Sequence, residues 1–143
     1  MKVSECMTKN VLSVSEREPA SVAARLMSRG NVGMLPVRGA MGRLTGVLTD
    51  RDLALRCAAA GRDPGAVAVR EIMTGRVVTA APDMELARAA ALMTKEQVRR
   101  LPVVQDGRVV GVVTLGDLAR QQDYSMEAAS CLGGICEGIH HLD

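Results

Sequence analysis

Gly46-Val47-Leu48-Thr49-Asp50-Arg51-Asp52-Leu53-Ala54 and Gly111-Val112-Val113-Thr114-Leu115-Gly116-Asp117-Leu118-Ala119 share one pattern, 65 residues apart. In each, an apolar, β-branched run ends in a hydroxyl and a helical segment begins at once. Upstream the correspondence continues at an offset of 66. Met7-Thr8 matches Met73-Thr74, Val11 matches Val77, Ala23-Ala24 matches Ala89-Ala90, Leu26-Met27 matches Leu92-Met93, and Leu35-Pro36-Val37 matches Leu101-Pro102-Val103. The one-residue difference falls in a turn, Gly39–Gly42 against Gln105–Gly107, where a deletion is tolerated. The chain is a tandem duplication of about 60 residues per repeat.

Each repeat reads the same way. A short extended piece (Val11–Val14; Val77–Ala80) leads to a helix with apolar residues at helical spacing: Val22, Leu26 and Met27, then Leu86, Ala90 and Met93. Two strands follow, Met34–Arg38 with Leu44–Thr49 and Leu101–Gln105 with Val109–Thr114. Gln105-Asp106-Gly107-Arg108 is a strong hairpin turn signal. A second helix closes each repeat, over Arg51–Ala59 and Gly116–Gln122, with Thr49-Asp50 or Thr114 suited to cap it. The expected organisation is a first unit over 1–62, a linker over 63–68, a second unit over 69–123 and an acidic tail over 124–143. Gly61, Pro64 and Gly65 mark the linker.

Of 143 residues, 48% are hydrophobic and 24% charged, the composition of a globular protein. There is no Phe, no Trp and a single Tyr, Tyr124. That excludes base-stacking platforms and aromatic cages, and leaves the core to Ala, Val, Leu, Ile and nine Met. The net charge is +2, but residues 123–143 carry −4, which leaves an arginine-rich body of +6. The longest basic run is Arg99-Arg100, so a nucleic-acid stripe is not expected, whereas bidentate recognition of phosphate or carboxylate is. Nothing reads as a leader or a membrane span, and Cys6, Cys57, Cys131 and Cys136 lack zinc spacing. Reduced thiols and a cytoplasmic location are the expectation.

The strand–Thr–helix junction is where chemistry can reside. A helix start offers unpaired N–H groups and partial positive charge to an anion. A threonine hydroxyl beside it can bind a phosphate oxygen, and an aspartate one turn later can accept from ribose hydroxyls. A purely structural role for the pair, with Thr capping the helix and Asp complementing its dipole, accounts for the same residues. Retention of both residues in both copies weighs toward a ligand. No Ser-His-Asp set, His-Glu-x-x-His, P-loop or Gly-x-Gly-x-x-Gly is present, so an enzyme is not expected.

Met-Thr, then Leu-Pro-Val, then Gly-Val-x-Thr-x-x-Asp, occurring twice, resembles the tandem CBS-domain family (the cystathionine β-synthase domain pair) over residues 1–122. The resemblance implies a mixed α/β architecture of α+β type: two βαββα units related by a pseudo-two-fold axis, with homodimerisation into a disc of four units. It implies a regulatory module that senses AMP, ADP, ATP or S-adenosylmethionine in clefts between the units and changes dimer conformation, acting on an effector protein the sequence does not identify. A degenerate pair serving as a ligand-free dimeric scaffold is the alternative.

Carried over residue by residue, the resemblance implies two clefts. The first groups Thr49 and Arg51 for phosphate and Asp52 for ribose with Val78, Ala80 and Ala81 beside the adenine. Arg99 and Arg100, followed by Leu101, would reach its phosphates. The second groups Thr114 and Asp117 with Leu12, Val14, Met34 and Leu35. Gly33-Met34 stand where the other repeat has Arg99-Arg100, so the expectation is that the Asp52 cleft prefers polyphosphate and that the Asp117 cleft is either empty or takes a less anionic ligand.

The tail lies outside the repeat. Met126, Ala129, Leu132, Ile135, Cys136 and Ile139 are spaced as an amphipathic helix, interrupted by Gly133-Gly134. It either packs on its own protein or docks a partner. His140-His141 are too near the chain end to predict a metal site.

Overall fold

The duplicated pattern folds into two units whose boundaries are offset from the repeat. The structure is a computed structural model that describes residues 1–121 and 129–135. One unit, here the earlier unit, is Leu12–Val77. The later unit combines Met1–Val11 with the chain from Val78 onward. The expected domain limits follow the sequence repeat; the packing exchanges the opening segments of the two copies.

In the earlier unit, β1 (Val14–Ser15) runs parallel to β2 (Met34–Arg38), which is antiparallel to β3 (Leu44–Thr49). Helix α1 (Ala20–Gly30) makes the crossover between β1 and β2, and it ends on Asn31 in the left-handed conformation. β3 leads without a loop into α2 (Asp50–Asp52), which continues as a π-helical segment, Leu53–Ala58. A short helix α3 (Val69–Ile72) follows. Thr74 then bridges Val47 on the free edge of β3. The expected linker is part of this packing: Val67 is buried, and its carbonyl accepts from the N–H of Ala20 at 2.8 Å.

The later unit repeats the plan. Ala80 bridges Val103 in parallel, α4 (Leu86–Glu96) crosses over, and β4 (Arg100–Gln105) pairs antiparallel with β5 (Arg108–Thr114). Asp106 (φ 54) and Gly107 (φ 78) form the turn, both in the left-handed region that a two-residue hairpin requires. α5 (Leu115–Arg120) closes the repeat, and a helix over 129–135 follows. Here Thr8, from the chain's opening segment, bridges Val112 on the edge of β5.

These edge bridges explain two features of the repeat. A Cβ on Gly46 would lie 2.7 Å from both Met73 Sδ and the Thr74 carbonyl oxygen. On Gly111 it would lie 2.6 Å from Met7 Sδ and 2.9 Å from the Thr8 carbonyl oxygen. The Met-Thr pair therefore lies flat on the strand at the one residue without a side chain.

Both cores are aliphatic, as the composition requires. Val14, Ala23, Leu35, Val37, Leu48 and Ile72 centre the earlier one. Val3, Leu86, Met93, Leu101, Val103 and Leu118 centre the later one, joined by Cys131 and Ile135 of the tail helix. Small helix residues such as Ala20, Ala89 and Ala90 let α1 and α4 approach their sheets without aromatic filler. Of the predicted tail helix, Ala129, Leu132 and Ile135 fall within the described residues; Met126, Cys136, Ile139, His140 and His141 lie outside them.

Candidate functional site

Both strand–helix junctions are reciprocal caps. Thr49 Oγ accepts from the Asp52 N–H at 3.1 Å, and Asp52 Oδ2 accepts from the Thr49 N–H at 3.0 Å. In the later unit the same bonds are 3.1 Å to Thr114 Oγ and 2.8 Å to Asp117 Oδ2. The structural role weighed from sequence is thus real at both sites. Each aspartate keeps a second oxygen. Asp117 Oδ1 is held by Arg120, whereas Asp52 Oδ1 lies 3.8 Å from Arg56, whose guanidinium also donates to the carbonyls of Ile72 and Met73. Asp117 is the more enclosed of the two, at 3% exposure against 8%. Near it, Cys6 is half-buried; burial raises its thiol pKa, and the charge of Asp117 adds to the effect.

The backbone fixes what stands beside each cap. The Leu115 N–H donates to the Arg99 carbonyl at 2.8 Å, and Arg100 is the cross-strand partner of Thr114. In the earlier unit the Asp50 N–H donates to the Gly33 carbonyl at 2.9 Å, and Met34 is the partner of Thr49. The Asp50 carboxylate lies over Gly33, close enough that a Cβ there would be 2.9 Å from Oδ2. Beside the later cap stand two arginines, and beside the earlier one stands the Asp50 carboxylate, with Arg51 exposed next to it in the chain.

The later unit shows a grouping that the resemblance does not supply. The resemblance sets Arg99 and Arg100 with Thr49 and gives the Thr114 cleft no basic pair. In the structure Arg99, Arg100, Thr114, Leu115, Gly116 and Ala119 line one cavity of about 550 Å³. The reason is the hairpin: its two-residue turn sets the register, which seats Arg100 opposite Thr114. Among the described residues neither guanidinium has an ion-pair partner, and both arginines are exposed.

The remaining predicted residues divide by unit. Leu12, Val14, Met34, Leu35, Thr49, Arg51 and Asp52 belong to the earlier one, and Val78, Ala80, Ala81, Arg99, Arg100, Leu101, Thr114 and Asp117 to the later. Val14, Leu35, Ala80 and Leu101 are core side chains, which leaves their backbone as the part a ligand could meet. Leu12 and Arg51 are exposed, and Met34, Val78 and Ala81 half-buried. The sequence reading missed two lining residues, Ala129 and Leu132, which come from the tail helix. The periodicity of the tail had placed them on one face, without saying what that face meets. Among the described residues no cluster of His, Cys, Asp and Glu is built to hold a metal, and no helix is long and apolar enough to cross a membrane.

Comparison with known proteins agrees with the repeat. The family model for the CBS domain matches twice, at residues 3–58 and 69–123. The chain is 45% identical over 139 residues to the CBS domain-containing protein YhcV of Bacillus subtilis, covering 96% of this chain and 98% of that one. Hypoxic Response Protein I, solved with two coordinated zinc ions, superposes with a TM-score of 0.78 at 34% identity, over 85% of this chain and 98% of the other. The CBS domain pair of protein MJ0100, solved with 5′-methylthioadenosine and S-adenosyl-L-methionine, superposes with a TM-score of 0.74 at 30% identity, over 84% and 94%.

Proposed function

Starting from the premise that this chain belongs to the CBS domain family, we propose that it is a non-catalytic regulatory module that binds an adenine nucleotide at the Thr114 junction. The observation that carries this reading is the pair of exposed arginines, Arg99 and Arg100, in the wall of the cavity that Thr114 borders. Two planar, permanently charged forks suit phosphate oxygens, and the cavity's volume is within the range of small-molecule sites. Thr114 Oγ keeps a donor after capping, because its bond to Asp117 uses it only as acceptor. Among the described residues that line the cavity none carries an aromatic ring, and the base lies between aliphatic groups such as Leu115 and Ala119. A neighbour of the same fold holds adenosine compounds, which supports the ligand class.

At the earlier junction the Asp50 carboxylate disfavours polyphosphate, so its ligand is an uncharged or cationic adenosine compound such as S-adenosylmethionine. The module works as a cytoplasmic homodimer whose conformation, set by ligand, is read by an effector protein. Calorimetric titration with AMP, ADP, ATP and S-adenosylmethionine tests the ligand reading, with sedimentation analysis for the dimer. Binding of none of the four would leave the ligand-free scaffold as the remaining reading.

A further inference from the structure

The cavity beside Arg99 and Arg100 has a wall that the duplicated pattern does not supply. Ala129 and Leu132 of the helix over 129–135 line it together with the second repeat's own residues. This helix is anchored from behind. Cys131 and Ile135 are buried in the later unit's core, at 2% and 5% exposure, and the Cys131 thiol donates to the Ala90 carbonyl on α4 at 3.5 Å. Gly134 packs close to Thr94 on the same helix, since a Cβ there would be 3.1 Å from the Thr94 methyl. Ala129 and Leu132 are three apart and share a face, on the flank next to the one that Cys131 and Ile135 sink into the later core. Leu132 is 42% exposed there, an apolar side chain left open to the cavity.

We infer that the tail helix is a structural wall of the ligand site, with Leu132 and Ala129 covering the base while Arg99 and Arg100 hold the phosphate. The inference rests on the nucleotide reading above and adds a determinant of base recognition to it. The cavity exists with the helix in place, so the helix lines the site and does not fill it. The chemistry also divides: the arginines can grip any phosphate, whereas an aliphatic wall gains contact only with a ligand that carries a base. After the first repeat the chain continues instead into the segment that leads to α3.

The test is titration of the full chain with AMP and with ribose 5-phosphate, which has the phosphate and sugar but no base. Leu132→Ala, at a half-exposed position, should weaken AMP about fivefold and leave ribose 5-phosphate unchanged. Arg100→Ala should weaken both. Ending the chain at Gln121 should reproduce the selective loss, and the Leu132 variant carries the test if that shorter chain fails to fold. Unchanged AMP affinity in Leu132→Ala, or an equal loss for both ligands, would overturn the inference while the nucleotide reading stands. Failure of the unaltered chain to bind AMP at all overturns the reading and the inference together.

Discussion

Arg100 and Thr114 face each other across the β4–β5 hairpin, and that pairing places the positive charge of the chain's one basic run beside the second cap. The matching pair in the other unit is Met34 with Thr49. Two caps built on one motif therefore differ in the side chain that stands across the strand pair from the threonine.

Ligand affinity should follow this difference. Arg100→Ala and Asp117→Ala are each expected to weaken ATP binding at least about tenfold, the loss of a charge-assisted hydrogen bond. Asp52→Ala should leave ATP affinity within about twofold and reduce S-adenosylmethionine binding. Calorimetry on the three variants measures this. If Asp52→Ala abolished ATP binding while Asp117→Ala preserved it, the assignment of the polyphosphate site would be wrong.

The two edge glycines should resist substitution. Gly46→Ala and Gly111→Ala each bring a methyl within 3 Å of a backbone carbonyl, Thr74 or Thr8. Relief requires lifting the Met-Thr segment from the strand, at about 1–3 kcal/mol. Gly75→Ala, whose added methyl would meet nothing within 4 Å, is the control and should be near neutral. Far-UV circular dichroism melts serve here, since a chain with no Trp offers no indole fluorescence.

Removing residues 1–11 should damage the later unit and spare the earlier one. Val3 is fully buried in the later core, its N–H donates to the Met84 carbonyl at 2.9 Å, and Thr8 exchanges two backbone bonds with Val112. Hydrogen exchange on the shortened chain should show lost protection across β4 and β5, with β2 and β3 retained. Protection of β5 equal to that in the full chain would refute the exchange of opening segments.

Two exposed ties are set to fail in acid. The Lys2 ammonium, 2.7 Å from Glu85, holds that carboxyl below the ordinary glutamate range. The Ala68 N–H and then Arg62 do the same for Glu71. A depressed carboxyl contributes stability that is present above its unfolded value and lost as pH falls through the folded one. Lys2 is raised by the same partner, so its share is present below the unfolded lysine value and lost as pH climbs through the raised one. NMR titration should place both glutamates below ordinary ones. Lys2→Met should return Glu85 toward normal without moving Glu71; joint movement of the two would contradict separate causes.

Much of this was legible in the chain. The offset repeat, the Asp106-Gly107 turn, both Thr/Asp caps and the strands β2 and β3 follow from periodicity and from turn and capping chemistry, which act over a few residues. The extended piece expected over Val11–Val14 begins instead at Val14, because pairing with Val37 defines the strand. The helix after Thr49 becomes π-helical from Leu53, which apolar spacing does not reveal.

The amino-acid sequence by itself determined the duplicated βαββα pattern, the aliphatic core and the identity of the capping pairs, because each depends on neighbours along the chain or on composition. The tertiary structure alone decided which opening segment joins which sheet, that Arg99 and Arg100 stand beside Thr114, and that Ala129 and Leu132 of the tail helix line the same cavity. Those outcomes depend on pairing and burial between residues far apart in the chain. Strand register and the burial of Cys131 and Ile135 in the later core settle them, and local spacing carries no record of either.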